Sequence, residues 1–313
     1  MPVTPAPSWS FLPYLQMTRP ANVVTAWADI WVGYAIAGLG GTVLQSVWVH
    51  PSLEMLAQLQ PLGWLVLSTT GLYAGGVVFN DVFDAELDAQ ERPERPIPSG
   101  RVNRWQAAIF GGCLLLAGIA AATQVTLIST ALAISIALAC LLYDSFSKHS
   151  TWLGPANMGF CRGMNWLLGA SAFPLAIGES WYLASIPIAY IAAITAISQG
   201  EVNGGRQTTG WLALGLMGGI LVSPLLLWEF STFTLLSALP FICLLGWRIL
   251  PPFWQATQTP EPEPIRLAVK AGILSLIVLD AAIASGFAGW FYGLVLLCLL
   301  PLSVGLSRLF AVT

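Results

Sequence analysis

The chain is poor in charged residues. Only 9% of its 313 residues are Asp, Glu, Lys or Arg, whereas about a quarter of the residues are charged in a typical soluble domain. Apolar residues make up 56% of the sequence, and the mean hydropathy is +0.74. This composition excludes an ordinary soluble domain and predicts an integral membrane protein whose environment is membrane lipid.

Two further absences narrow the function classes. The five cysteines are dispersed through apolar surroundings and never occur as CxxC pairs, which disfavours a disulfide framework and a zinc site. The formal net charge is -3, and the lysines and arginines form no basic stripe. A nucleic-acid partner is therefore not expected.

Long apolar runs are what the sequence has in abundance. A hydrocarbon core of roughly 30 Å takes about 20 residues to cross. Ten runs of about this length lie near 20–41, 62–82, 104–123, 125–145, 155–177, 181–200, 210–229, 231–250, 267–287 and 289–311. We predict an all-α, polytopic transmembrane helix bundle that forms one domain over residues 1–313. Glycines blur the boundary between the last two runs, so nine spans remain an alternative to ten.

Lysine and arginine are absent from every second loop between these runs. Because cytoplasmic loops carry the excess of Lys and Arg, this pattern places the N-terminus inside. Arg162 lies well inside a predicted span, whereas the other lysines and arginines lie in loops or within three residues of the end of a span. The polar segments around residues 83–103, 148 and 206 then share the cytoplasmic face. We predict a multi-pass protein, of the inner or plasma membrane if the source is bacterial, with its site facing the cytoplasm.

The densest cluster of charge follows the second apolar run. Asp81, Asp84 and Asp88 have the 3-then-4 spacing that places residues on one helix face, so their carboxylates converge if the helix continues past the apolar run. Carboxylates that close repel one another unless a cation balances them. Mg²⁺ is usually held by one or two carboxylates together with phosphate oxygens of a substrate. The segment is therefore predicted to form half of a phosphate site.

Four short segments carry a resemblance to a known family. They are NDVFDAELD at 80–88, RPIPSG at 95–100, RPAN at 19–22 and YDSFSK at 143–148. The first two together resemble the first acidic motif of the UbiA superfamily of membrane prenyltransferases. The third resembles the RPxN opening of that family, and the fourth resembles its basic loop after the fourth span.

The resemblance implies an intramembrane helix bundle that binds a prenyl diphosphate through Mg²⁺, transfers the prenyl group to an unknown small-molecule or lipid acceptor, and releases pyrophosphate. It implies that Asp81, Asp84 and Asp88 hold the metal, that Asn80 orients them, and that Lys148 is part of the catalytic set. The expected diphosphate-binding residues are Arg92, Arg95, Lys148, Arg162 and Arg206. Arg162 is included because an arginine inside a span is costly unless it pairs or faces a polar cavity.

The sequence departs from the family near residues 195–210, where a second acidic motif is expected. The candidates there are Gln199, Glu201 and Asn203, of which only Glu201 is a carboxylate. Amide oxygens are weaker Mg²⁺ ligands than carboxylates, although Arg206 can bind phosphate directly. This loop and the segments 143–149 and 154–165 resemble the EboC subgroup of UbiA-like proteins. A non-catalytic or weakly catalytic binder or translocator of an isoprenoid or aromatic precursor therefore remains an alternative to the enzyme.

Two polar residues in the first span suggest a place for the acceptor. Asn22 and Asp29 are seven residues apart, which places them two turns along one helix face. They are predicted either to bind the acceptor or to join helices by hydrogen bonds within the bundle. The sequence leaves the acceptor, the prenyl chain length and the oligomeric state open.

Overall fold

The computed structural model describes residues 11–38, 40, 59–227 and 232–310, and these residues contain helices and no strand. The helices are α1 (Leu12–Met17), α2 (Pro20–Ile36), α3 (Gln60–Phe83), α4 (Ala85–Glu91), α5 (Arg104–Ala122), α6 (Leu127–Ser145), α7 (Leu153–Ala170), α8 (Pro174–Ser180), α9 (Ser185–Ser198), α10 (Gln207–Leu226), α11 (Leu235–Gln258), α12 (Pro262–Ala288), α13 (Trp290–Leu297) and α14 (Leu299–Leu309). The all-α prediction is confirmed.

Eight helical segments in the described part of the chain are long and apolar enough to cross a membrane. Two of them are composite, since α8 continues into α9 and α13 continues into α14. The first and fifth predicted spans correspond to α2, with 17 residues, and α7, with 18 residues. Each of the ten predicted runs therefore has a helical counterpart. The fifth is the least apolar because α7 carries Asn157, Arg162 and Asn165.

The helices differ in how deeply they lie in the bundle. In the most apolar 18-residue stretch of α12, 78% is buried inside the protein. In the equivalent stretches of α10 and α11, only 28% and 22% are buried. Helix α2 packs against both α7 and α12. The centre of the protein therefore consists of α2, α7 and α12, and the outer helices present apolar side chains to lipid.

Glycines allow close approach of the helices that carry the polar residues. A Cβ at Gly71 of α3 would lie 2.5 Å from the Leu114 carbonyl oxygen and 2.8 Å from the Gly118 nitrogen of α5. A Cβ at Gly33 of α2 would collide with the Trp166 carbonyl oxygen of α7. Small residues at such crossings let backbones pack together in membranes. These contacts fix the positions of α2, α3 and α7 relative to their neighbours.

The acidic segment is not one continuous helix. Helix α3 ends at Phe83 and α4 begins at Ala85, with Asp84 between them at φ -86° and ψ 4°. The helix does not continue unbroken past the apolar run, so the three aspartates do not share one helix face as the spacing predicted. Their positions are set by the break and by the cations around them.

Candidate active site

A cavity of about 420 Å³ opens where α3 ends. The predicted polar segments, although far apart in sequence, meet at its mouth. The charged and amide side chains that line this mouth are Arg19, Asn80, Asp84, Asp88, Glu91, Arg92, Arg95, Asp144, Lys148 and Glu201. The deeper lining is largely apolar, with Leu72, Ile136, Ile191 and Leu276 among its members. The cavity therefore combines a charged entrance with an apolar interior.

Asp84 and Lys148 form the ion pair at the centre of the mouth. The Lys148 Nζ lies 2.5 Å from Asp84 Oδ1, and the two side chains are 12% and 20% exposed. Asn80 donates from Nδ2 to Asp84 Oδ2 at 3.2 Å and to Asp144 Oδ1 at 2.9 Å. The segments 80–88 and 143–148, which the sequence analysis connected only by resemblance, are thus in direct contact.

Asp81 and Asp88 belong to a second group of charges. Arg95 Nη1 lies 2.7 Å from Asp88 Oδ2 and 3.4 Å from Asp81 Oδ1. Arg19 Nη2 lies 2.9 Å from the same Asp81 oxygen. Because Asp84 pairs with Lys148 instead, the three aspartates are divided into two ion-paired groups.

The donor set fits a metal that is shared with a phosphate ligand. Within the described ranges, no three or more His, Cys, Asp or Glu residues lie close enough together to hold a metal ion. The assignment of Asn80, Asp81, Asp84 and Asp88 to Mg²⁺ therefore stays a prediction, and it requires a ligand that completes the coordination of the metal. Asp84 and Asp88 both line the cavity, and one or two carboxylates suffice for Mg²⁺ when phosphate oxygens complete its shell.

The loop between α9 and α10 contributes one carboxylate. Glu201 is buried and lines the cavity, whereas Gln199 and Asn203 are exposed. Burial raises the pKa of Glu201 above its ordinary value, against the opposing attraction of Arg92. Burial, together with repulsion from Arg95, lowers the pKa of Arg92. Gln199 and Asn203, the two amide candidates of the second motif, thus lie outside the cavity lining.

The arginines predicted to bind the diphosphate do not all lie at the mouth of the cavity. Arg92 and Arg95 line the mouth together with Lys148. Arg206 precedes α10, is exposed and is not part of the cavity lining, so its contact with the diphosphate stays a prediction without support from the cavity. Its position beyond the turn at Gly204 and Gly205 was not visible in the sequence.

Arg162 also lies away from the mouth. It is 6% exposed, and its guanidinium carbon is 5.6 Å from the ring centre of Tyr73. Tyr73 precedes Asn80 by two helical turns, a rise of about 10 Å along α3. Arg162 Nε lies 2.9 Å from Asp29 Oδ2, and Nη2 donates to Thr25 Oγ1 at 2.5 Å. The guanidinium is thus held deep in the bundle, apart from the four cations of the mouth.

The two candidates in α2 behave differently. Asn22 lines the cavity, as the acceptor hypothesis requires. Asp29 is 0% exposed and is not part of the lining; it accepts from Asn165 Nδ2 at 2.9 Å and pairs with Arg162. For Asp29 the structure matches the alternative, in which the side chain joins helices.

Sequence reasoning did not assign a site role to Arg19 or Asp144. Arg19 precedes α2 with φ 45°, the left-handed region that non-glycine residues rarely adopt, and its side chain reaches Asp81. Asp144 lines the mouth and is bound by Asn80. The signal for both was present, since each lies inside a segment that carried the family resemblance.

Comparisons with known proteins agree with this geometry. The sequence profile of the UbiA prenyltransferase family matches residues 36–268. The chain is 31% identical over 238 residues to the digeranylgeranylglyceryl phosphate synthase of Methanoregula boonei, an alignment that covers 75% of this chain and 79% of the relative. It is 34% identical over 158 residues to the synthase of the same name from Methanoculleus marisnigri, where the alignment covers 50% of each protein.

Solved structures show the same fold. A structure from work on digeranylgeranylglyceryl phosphate synthase in membranes superposes with a TM-score of 0.63 at 19% identity, covering 89% of this chain and 98% of the other. A UbiA homologue from Archaeoglobus fulgidus bound to GPP and Mg²⁺ superposes with a TM-score of 0.58 at 16% identity, covering 89% and 99%.

Proposed function

The chain belongs to the UbiA prenyltransferase family, and we propose that it is a Mg²⁺-dependent intramembrane prenyltransferase. It moves a prenyl group from a prenyl diphosphate to a small-molecule or lipid acceptor and releases pyrophosphate. The observation that carries this proposal is the cavity itself, in which Arg92, Arg95 and Lys148 surround Asp84 and Asp88 above an apolar interior.

The mouth matches the charge of a diphosphate. Lys148 and Arg95 are each engaged by an aspartate and are only 12% and 14% exposed. Charged hydrogen bonds to phosphate oxygens are short and strong. A diphosphate that enters the mouth can therefore take over Lys148 and Arg95, and the released Asp84 and Asp88 oxygens can hold the metal that accompanies it.

The chemistry follows from this placement. The allylic carbon–oxygen bond of the donor breaks, pyrophosphate leaves with the electron pair, and the acceptor forms the new bond to carbon as it loses a proton. Bound Mg²⁺ would help to neutralise the leaving group. Lys148, Arg92 and Arg95 stabilise the negative charge that develops on it, an electrostatic effect worth most where water is excluded. Asn80 holds Asp84 in place through its hydrogen bond.

The apolar interior protects the reaction. Ile191, Ile194 and Leu276 line the cavity below the mouth and provide a surface for the prenyl chain. Exclusion of water from this region prevents capture of the carbocation by hydrolysis.

The relatives support the proposed donor and the proposed metal more strongly than they support any particular acceptor. The A. fulgidus homologue was solved with GPP and Mg²⁺, and the curated relatives are digeranylgeranylglyceryl phosphate synthases. One of the two alignments covers only half of the relative. The acceptor of this chain is therefore proposed only as a small molecule or lipid, and membership of the EboC subgroup stays a prediction.

One observation favours a second candidate. Of the three second-motif candidates, only Glu201 faces the cavity, so one side of the mouth has few metal ligands. A binder or translocator of an isoprenoid or aromatic precursor would bind the diphosphate but would not catalyse its release, so it would need fewer metal ligands.

The two functions are separated by one experiment on the full chain in lipid nanodiscs. Labelled geranyl diphosphate, Mg²⁺ and a panel of lipid alcohols and phenols are supplied, and both pyrophosphate and labelled product are measured. The enzyme gives equal amounts of pyrophosphate and prenylated product, and EDTA abolishes both. Mg²⁺-dependent binding without pyrophosphate indicates the binder. Absence of Mg²⁺-dependent binding contradicts both.

A further inference from the structure

The deep part of the cavity has two chemically different walls. One wall consists of polar side chains from α2, α3 and α7, namely Asn22, Thr69, Tyr73, Arg162 and Asn165. The other consists of apolar side chains from α9 and α12, including Ile191, Ile194, Val269, Ile273 and Leu276. A prenyl chain needs only the apolar wall. The polar wall therefore has no role in the binding of the donor.

Arg162 is the charged member of the polar wall, and its guanidinium is only partly satisfied. Arg162 Nε forms an ion pair with Asp29, and Nη2 donates to Thr25 Oγ1. Neither Nε nor Nη1 has a hydrogen-bond partner among the residues that the structure describes, and both atoms are buried. A buried donor of a charged group that lacks a partner is costly. Because Arg162 lines the cavity, a small rotation of the guanidinium would let a ligand oxygen supply the missing bond.

The charges behind Arg162 indicate what kind of oxygen this is. Asp29 pairs with the guanidinium, and the Asp280 carboxyl interacts with Asp29 while accepting from Trp166 Nε1 at 3.0 Å. Asp29 is ionised because it is paired with the guanidinium. The two carboxyls and the guanidinium therefore sum to a charge of minus one when Asp280 is ionised, and to zero when Asp280 is protonated. Neither state leaves positive charge to attract an anion, so the site favours an uncharged oxygen.

We propose that Arg162 binds an uncharged oxygen, a hydroxyl or a carbonyl, of the prenyl acceptor. This inference rests on the proposed transfer function and assigns the acceptor to the polar wall and the prenyl chain to the apolar wall. Asp29 and Asn165 are positioning residues, since Asn165 donates to Asp29 Oδ2 and accepts from Thr69 Oγ1 at 2.8 Å. Together they fix the direction of the guanidinium.

The depth of Arg162 defines the shape of the acceptor. Tyr73, which the guanidinium faces, lies about 10 Å along α3 below Asn80. The reacting carbon of the donor must lie beside the diphosphate at the mouth. The oxygen that Arg162 binds is therefore not the attacking atom. The acceptor instead carries two separated polar groups, one at the mouth and one held by Arg162.

Binding of matched probes without donor tests this inference. The probes are 4-methoxybenzaldehyde, which has an uncharged carbonyl, and 4-methoxybenzoate, which has a carboxylate on the same ring. Equilibrium dialysis on the full chain should give a Kd at least tenfold lower for the aldehyde. Arg162→Gln combined with Asp29→Asn should raise the aldehyde Kd at least fivefold and change the Kd of geranyl diphosphate less than twofold. Lys148→Gln should show the reverse pattern.

The double variant is used because Arg162→Gln alone leaves buried acids without a counter-charge, which destabilises a protein strongly. Arg162→Lys serves as a second variant that keeps the charge, and it should lose aldehyde affinity because a lysine lacks the planar fork. Equal or tighter binding of the benzoate, unchanged aldehyde binding in both variants, or no aldehyde binding by the wild type would overturn the inference. Loss of geranyl diphosphate binding in the double variant would also overturn it. Failure of the wild type to bind geranyl diphosphate contradicts the transfer function, and this result is independent of the aldehyde result.

Discussion

The acidic turn at 80–95 and the loop at 199–206 meet at the same cavity mouth but contribute to it unequally. The turn supplies three aspartates, each paired with an arginine or lysine. The loop supplies Glu201, whose carboxylate interacts with Arg92 across the mouth. The carboxylates proposed to bind Mg²⁺ are thus concentrated on one side of the cavity, and the carboxylate on the other side mainly balances the charge of Arg92. From this difference we expect donor binding to depend on the turn far more than on the loop.

The largest effect is expected from Asp84→Asn in the turn. The change removes the carboxylate that faces Lys148 while keeping the shape of the side chain. Turnover should fall by about 10²-fold or more, the usual cost of losing one electrostatic contact to a transition state. Binding of geranyl diphosphate should persist through the freed Lys148, yet lose its dependence on Mg²⁺, as titration calorimetry with and without EDTA would reveal.

Glu86→Gln is the matched control for this variant. Glu86 belongs to the same short helix α4, but its side chain is 89% exposed and pairs with Arg104 at the surface. Its removal should leave turnover and Mg²⁺ dependence unchanged. Equal losses in the two variants would mean that the total charge of the turn, and not the cavity-facing carboxylate, governs donor binding.

A smaller loss is expected from Lys148→Gln, since Arg92 and Arg95 remain at the mouth. Turnover should drop by about 10–100-fold, mostly through weaker donor binding, because one of three cations that meet the diphosphate is lost. Arg206→Gln provides the comparison, because Arg206 is exposed and outside the cavity lining. Steady-state kinetics should show an effect below twofold for Arg206→Gln, and a loss as large as that of Lys148→Gln would restore Arg206 to the site.

The smallest effect is expected from Glu201→Gln, and its clearest signature is pH dependence. Burial raises the pKa of Glu201, so the folded protein holds this proton more tightly than the unfolded chain does. Ionisation therefore costs stability as the pH rises from the ordinary value of 4.5 through the raised value. The stability of the variant relative to the wild type should increase as the pH rises above the ordinary pKa of 4.5, while turnover changes less than about tenfold.

Exposed Glu261, just before α12, supplies the control for this change. Glu261→Gln should leave the pH dependence of the unfolding midpoint as it is in the wild type. If the difference between Glu201→Gln and the wild type does not widen with rising pH, Glu201 is not the buried, proton-retaining group described above.

The sequence predicted the helical segments well because hydrophobic length is a local property. Each of the ten apolar runs has a helical counterpart, and the segments 19–22, 80–88 and 143–148 do meet. The helix break at Asp84 was not predictable from the 3-then-4 spacing, which is equally compatible with a continuous helix. The composition of the loop at 199–206 likewise did not predict that Glu201 is buried whereas Gln199 and Asn203 are exposed.

By itself, the sequence determined that the protein is an integral membrane helix bundle, and it predicted that the scarce charged residues form an acidic site for a phosphate ligand. A charged residue in a membrane-spanning chain is costly unless it pairs with another group or faces a polar cavity, so its position along the chain indicates where a functional site lies. Only the tertiary structure decided which cations neutralise which carboxylates and which of them reach the cavity. Those pairings depend on how α3, α6 and α7 cross. Arg162, assigned to the diphosphate from its sequence, is placed beside Asp29 by that packing.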